Sequence, residues 1–207
     1  LSEKLWKTSG HYENYKENPS QFTDRLMAMG LDKPLGVAIS GEGIPKIPHP
    51  KDADWDGLDL PWMAFGYGVM LTPLQTLSYY NAVANNGELV MPRFVSAVKT
   101  LDGKNVKSYP KQVINPAICS QETIGKLQHL MEGVVKNKWG TAHNIYDEKL
   151  AIAGKTGTCQ IDYTTDDVKY VASFVGYFPA HNPTYSCIVV VHKPNKKIGY
   201  YGNVVAA

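Results

Sequence analysis

Little in this chain is extreme, and each scarcity closes off a class of function. Positive charge is not in excess: 21 Lys and Arg against 19 Asp and Glu leave a formal net charge of +2. That supplies no stripe able to neutralise a phosphate backbone, so nucleic acid is not an expected partner. Lys193, Lys196 and Lys197 form the one dense basic patch, and a solvated turn explains it. No apolar run approaches the roughly 20 residues that a membrane helix needs; the longest, 187–191, has the length of a strand. Three cysteines, Cys119, Cys159 and Cys187, show no metal or redox spacing, and an odd number makes no disulfide framework. The six histidines include no His-x-x-x-His pair, so no metal or other cofactor is expected. The chain starts at Leu1 without a methionine or signal peptide and stops in the apolar run 204–207. It reads as a piece truncated at both ends, so missing export or anchoring signals carry no information.

What is present is 207 residues, 43% hydrophobic and 19% charged, enough for one domain with a real core. The stretch 151–160, Ala-Ile-Ala-Gly-Lys-Thr-Gly-Thr-Cys-Gln, stands out. Its Ile, Thr and Cys residues suit a strand, and glycine within a strand marks a bulge or a close backbone approach. Alternation puts Lys155 and Gly157 on one face and Thr156 and Thr158 on the other. An ammonium, hydroxyls and free edge amides beside a residue with no side chain can cradle an extended anionic ligand. A phosphate-binding loop is excluded, because the glycine it needs five places before Gly154 is Lys149.

In chain order, 1–8 reads as the tail of an apolar-faced helix, followed by a polar connection over 11–17. Asn18-Pro19-Ser20-Gln21 spells a helix start, with Phe22, Leu26 and Met29 on one face and Gly30 as the stop. Residues 35–39 are a candidate strand, and 40–61 a long irregular excursion. Thr72-Pro73-Leu74-Gln75 opens a buried helix with a stripe of Leu74, Leu77, Asn81 and Ala84, ended by Asn85-Asn86-Gly87. Residues 88–100 and 106–114 read as a peripheral hairpin turning at Asp102-Gly103. A helix follows over 120–138, capped by Ser120, with Ile124, Leu127, Met131, Val134 and Val135 inward and Gly140 ending it. After the Lys-Thr-Gly strand come the polar loop 162–169 and strands at 170–179 and 184–193, an antiparallel meander. A helix-rich body followed by such a sheet gives an α+β class.

Several of these runs together resemble one family. Ala153-Gly154-Lys155-Thr156-Gly157-Thr158 is similar to the third active-site motif of penicillin-binding transpeptidases. Gly66-Tyr67-Gly68, Thr72-Pro73-Leu74-Gln75 and Ala84-Asn85-Asn86-Gly87 resemble the family's central segment. The run 173–179 resembles the strand after the motif, and 201–207 the closing segment. The order holds along nearly the whole chain, and the wording looks most like class B enzymes, including the division-associated type.

The resemblance implies part of a penicillin-binding and serine β-lactamase-like fold, with 1–207 as the C-terminal part of one transpeptidase domain. It implies an acyl-serine D,D-transpeptidase acting on D-Ala-D-Ala stem peptides and acylated by β-lactams. Lys155 and Thr158 would be catalytic, and Thr156, Gly157 and Thr158 would bind substrate. Partners would be peptidoglycan stem peptides, β-lactams and cell-wall or division proteins. The place would be the outer face of a bacterial cytoplasmic membrane, reached through an anchor outside this chain. The family's Ser-x-x-Lys and Ser-x-Asn motifs are not found in suitable places. Ser96-x-x-Lys99 lies in a β-like stretch, Pro110 interrupts Ser108-x-x-Lys111, and Tyr12-Glu13-Asn14 only mimics the second motif. The piece is therefore expected to be inert alone. A non-catalytic penicillin-sensing receptor, a carboxypeptidase or β-lactamase of the same superfamily, and an unrelated α+β binding module stay open.

Overall fold

The computed structural model describes residues 19–161 and 167–207. The readings placed on 1–18, including the Asn18 cap and Tyr12-Glu13-Asn14, lie outside these residues, as does 162–166. The chain divides into two compact units, one ending at Thr72 and one running from Pro73 to Ala207.

In the first unit, helix α1 (Ser20–Ala28) begins after Pro19, whose backbone is already helical, and Gly30 closes it at φ 85°. Its fully buried side chain is Thr23, satisfied by the Ser20 carbonyl, while Phe22, Leu26 and Met29 are only half-buried. The expected strand at 35–39 is absent. Instead, the Glu42 carboxylate accepts the backbone N–H groups of Leu35, Gly36 and Val37, so these donors are satisfied without a ladder. The excursion that follows is tied by a bridge between Lys46 and Met70 and by buried His49. His49 Nδ1 accepts from the Lys51 N–H, which leaves Nε2 to donate to Asp24 at 3.1 Å. Helix α2 (Asp59–Met63) already starts inside this stretch, and its Trp62 clusters with Phe65 and Tyr67 just after it, ring centroids 5.3 to 5.6 Å apart, Tyr67 edge-on to both.

The second unit opens with α3 (Pro73–Ala84), where the Thr-Pro-Leu-Gln spelling places it. Its buried face is Gln75, Ser78, Ala82, Val83 and Ala84, whereas Leu74, Leu77 and Asn81 of the expected stripe are half-buried. The hairpin is present but divided into four short strands. β1 (Leu89–Val90) pairs with β4 (Val113–Asn115), and β2 (Ala97–Lys99) with β3 (Asn105–Ser108). Gly103, at φ 85°, makes the turn between β2 and β3.

Helix α4 (Gln121–Lys136) matches its sequence signals closely. Ser120 Oγ caps the Thr123 N–H, Glu122 sits in the first turn and Lys136 in the last, and Ile124, Met131 and Val135 are buried. Then come β5 (Ala153–Ile161), β6 (Lys169–Phe178), β7 (Tyr185–His192) and the short α5 (Gly202–Val205). The three strands form one antiparallel sheet in the order β5-β6-β7, the expected meander.

Both faces of this sheet are packed against helices along its central strand β6, while much of β7 stays exposed. On one, Val135 of α4, Ala142, Phe174 of β6 and Ala206 form a buried cluster with Ile145, Ile152 and Val191. On the other, the small residues of α3 let it lie on β6 and β7, and Asn81 Nδ2 donates to Ser186 Oγ at 3.2 Å. Close packing of the first face uses a glycine pair in register, Gly154 opposite Gly176, over which the Phe174 ring lies. A Cβ on Gly154 would come within 2.5 Å of that ring.

Tyr177, 1% exposed, has a hydroxyl without a hydrogen-bond partner among the described residues. Burial, helped by the nearby Glu132 charge, pushes this phenol up to about 12 from its ordinary 10.0. The folded state therefore keeps a proton that the unfolded chain releases, so stability falls as pH rises from 10 towards 12. Tyr177→Phe removes both features. The variant is expected to be at least as stable as the parent at about pH 8. By about pH 11 it gains roughly 1 kcal/mol more, read from urea midpoints at the two pH values.

Candidate functional site

The residues singled out by sequence lie along β5, which pairs only with β6 among the described residues and so forms the outer edge of its sheet. Lys155 stands opposite Val175, Thr156 opposite Phe174, Gly157 opposite Ser173 and Thr158 opposite Ala172. The ladder runs without a bulge, so alternation divides the four side-chain positions between two faces, as expected.

Lys155 is exposed, and its ammonium donates to the Thr156 carbonyl at 2.6 Å. No carboxylate pairs with it among the described residues, and partial burial holds its pKa below the ordinary 10.5. It is thus a cation available to an incoming anion. Gly157 shares its face; a Cβ there would stand 2.5 Å from Ser173 Oγ, a side-chain end able to rotate away. The glycine keeps the strand edge low rather than preventing a backbone clash.

The two threonines are oriented from outside the strand. Thr156 Oγ1 lies 2.9 Å from Thr141 Oγ1 in the segment after α4. Thr158 Oγ1 accepts the Gly202 N–H at the start of α5, at 3.0 Å. Gly202 can come so close only because it has no side chain: a Cβ there would stand 2.5 Å from the carbonyl oxygens of Gly157 and Ser173. Just before Gly202, Tyr200 stacks on Tyr170 at 4.1 Å and on Tyr201 at 4.5 Å, an aromatic group at the Gln160 end of β5. Thr141, Gly202 and these tyrosines were missed as site residues. Thr141 carries no signal of its own, and the run 201–207 was read only as resembling the family's closing segment, which spacing alone does not connect to position 158.

Ser96 and Ser108 of the two Ser-x-x-Lys spellings lie on the β2–β3 arm, not at the start of a helix. A cavity of about 360 Å³ occurs between the end of α3, α4 and the β6–β7 turn, lined by residues including Gln128, His129, Glu132 and His181. It does not include the β5 edge, which has no neighbouring strand on its outer side among the described residues.

Residues 12–207 match the family described as the penicillin binding protein transpeptidase domain. The chain belongs to that family. It is 33% identical over 228 residues to stage V sporulation protein D of Bacillus subtilis, covering 98% of this chain and 34% of that protein. It is 30% identical to the peptidoglycan D,D-transpeptidase FtsI of Buchnera aphidicola, covering 91% of the chain and 31% of that enzyme. Among solved structures, it resembles penicillin binding protein 3 of Mycobacterium tuberculosis complexed with ampicillin. That match has a TM-score of 0.74 and 28% identity, over 86% of this chain and 40% of the other. This transpeptidase-family chain therefore spans about a third of the length of the curated relatives it matches. The α+β class and the terminal meander expected from the sequence agree with this likeness.

Proposed function

We propose that the intact protein is a serine D,D-transpeptidase of the cell wall, and that this chain, the C-terminal part of its transpeptidase domain, supplies one wall of the active site. The observation that carries the reading is the edge strand β5, with an exposed ammonium that meets no carboxylate among the described residues and two externally oriented hydroxyls at 155–158. The reaction is acyl transfer. A serine hydroxyl attacks the carbonyl between the two D-Ala residues of a stem peptide, the terminal D-Ala leaves, and the amine of a second stem takes the acyl group. β-Lactams acylate the same serine.

Each residue has a part in this scheme. Lys155 supplies positive charge to the substrate carboxylate and assists proton transfer. Thr156 and Thr158 offer hydroxyls to that carboxylate. The Thr158 N–H is one oxyanion donor, the other belonging to the serine residue; loss of one such donor costs roughly 100- to 1,000-fold in rate. Gly157 lets the peptide lie along the strand edge as an added strand. The nucleophile belongs to polypeptide outside this chain, because neither Ser96 nor Ser108 opens a helix. The protein acts at the outer face of the cytoplasmic membrane with other wall-synthesis or division proteins, held by an anchor outside these residues.

The test is labelled penicillin. The intact protein is expected to take up one label per molecule, and the 207-residue chain none, since removing the nucleophile costs about a million-fold in serine hydrolases. A stoichiometric adduct on the chain alone would refute this placement of the nucleophile. An unlabelled intact protein would refute the transpeptidase reading. Adding an acceptor amine is expected to divert a depsipeptide substrate to the transfer product rather than to the hydrolysed acid.

A further inference from the structure

The β2–β3 arm plays no part in the scheme above, yet it concentrates charge and apolar surface. Residues 93–111 carry five cations, Arg93, Lys99, Lys104, Lys107 and Lys111, against the single anion Asp102, a net +4 in a chain whose whole net charge is +2. Every residue from 98 to 114 is exposed. Large apolar side chains stand free along the whole length, from Phe94 and Val95 near the base, through Val98 and Val106, to Leu101 fully exposed at the tip. Two strands alone bury too little to hold themselves. This arm is held from its base: β1 pairs with β4, Met91 N–H donates to the Gln112 carbonyl at 3.0 Å, and Tyr109 N–H to the Ser96 carbonyl at 2.9 Å. Lys111 is occupied by Glu88. Lys99, Lys104 and Lys107 meet no carboxylate among the described residues, and Lys107 lies instead over the Tyr109 ring. The arm is therefore a preformed surface on which exposed apolar side chains are interleaved with unneutralised cations, Val98 standing opposite Lys107.

We propose that this arm docks an acidic protein partner, one that presents carboxylates among apolar side chains. Charge complementarity selects the sign, since Lys99, Lys104 and Lys107 meet no carboxylate among the described residues and Asp102 is the arm's single anion. A second copy of the chain would set cation against cation. A bilayer would cover Leu101 at the tip and leave Phe94, Val95, Val113 and Ile114 at the base in water, whereas a protein strip can follow the whole arm. Such docking requires no particular reaction of the intact protein.

The test uses the full-length protein in the cells that make it, with p-benzoylphenylalanine in place of Leu101. Irradiation is expected to join it to one acidic protein. With that protein purified, the Lys99→Glu, Lys104→Glu double variant is expected to bind about tenfold more weakly, and parent binding to fall by a similar factor between about 0.1 and 0.5 M salt. Penicillin acylation and circular dichroism of the double variant stay unchanged, which separates this result from failure of the fold or of the transpeptidase reading. The proposal is overturned by cross-links only to lipid or to the protein's own chain, by the absence of any cross-link, or by a captured protein indifferent to charge reversal. Parent-only pelleting with phosphatidylglycerol vesicles would assign the arm to a membrane and overturn it equally.

Discussion

Gly202→Ala in the intact protein is expected to slow β-lactam acylation by about 100-fold, although residue 202 bears no functional group. The added methyl would stand 2.5 Å from two main-chain oxygens, those of Gly157 and Ser173, and neither can rotate aside. The start of α5 must therefore lift from the sheet. Its N–H then leaves Thr158 Oγ1, now 3.0 Å away, and the hydroxyl loses the bond that orients it. Overpacking of this kind costs roughly 1–3 kcal/mol of stability, so the melting temperature falls but the protein still folds. The decisive comparison is with Gly157→Ala, where the new methyl meets only the movable Ser173 Oγ. That variant is expected to keep its stability and lose acylation through the raised strand edge. Equal stability for both variants would contradict the packing seen at α5.

Lys155→Met keeps most of the side-chain stem and removes the charge, and it is expected to lower acylation by roughly 100- to 1,000-fold. The pH profile adds a sign that a merely structural lysine would not give. Partial burial lowers the pKa of this ammonium, so its charge is fully present below the lowered value and is lost as pH rises through it. Acylation of the parent is expected to decline on an alkaline limb that begins below the ordinary lysine value of 10.5. The Met variant, already slow, should lack that limb. A Lys155→Arg variant keeps a cation but replaces a compact ammonium with a planar fork, and only partial activity is expected of it.

Legibility from the sequence followed how local each determinant was. Helix α4 was readable almost to the residue, because Ser120, Glu122, Lys136 and the apolar spacing all lie within its own turns. The meander was readable because β5, β6 and β7 are consecutive strands with short connections. The run 35–39 misled because its apolar residues suit a strand, while Glu42, a few positions on, takes their N–H groups with its side chain. In α3 the expected stripe was displaced because burial there is set by the sheet: Gln75 and Ser78 are inside while Leu74 and Leu77 are half out. The Lys-Thr-Gly-Thr line of the candidate site was visible as a spelling. Its supports were not, since Thr141 and Gly202 reach it only through contacts across 15 and 44 positions of chain.

The most direct measurement is a crystal structure of the intact protein acylated by a penicillin. The drug is expected to lie along the outer edge of β5, its carboxylate within hydrogen-bond reach of the Thr156 and Thr158 hydroxyls and close to the Lys155 ammonium. The acyl oxygen is expected on the Thr158 N–H. A drug bound covalently elsewhere, with residues 155–158 untouched, would contradict this placement.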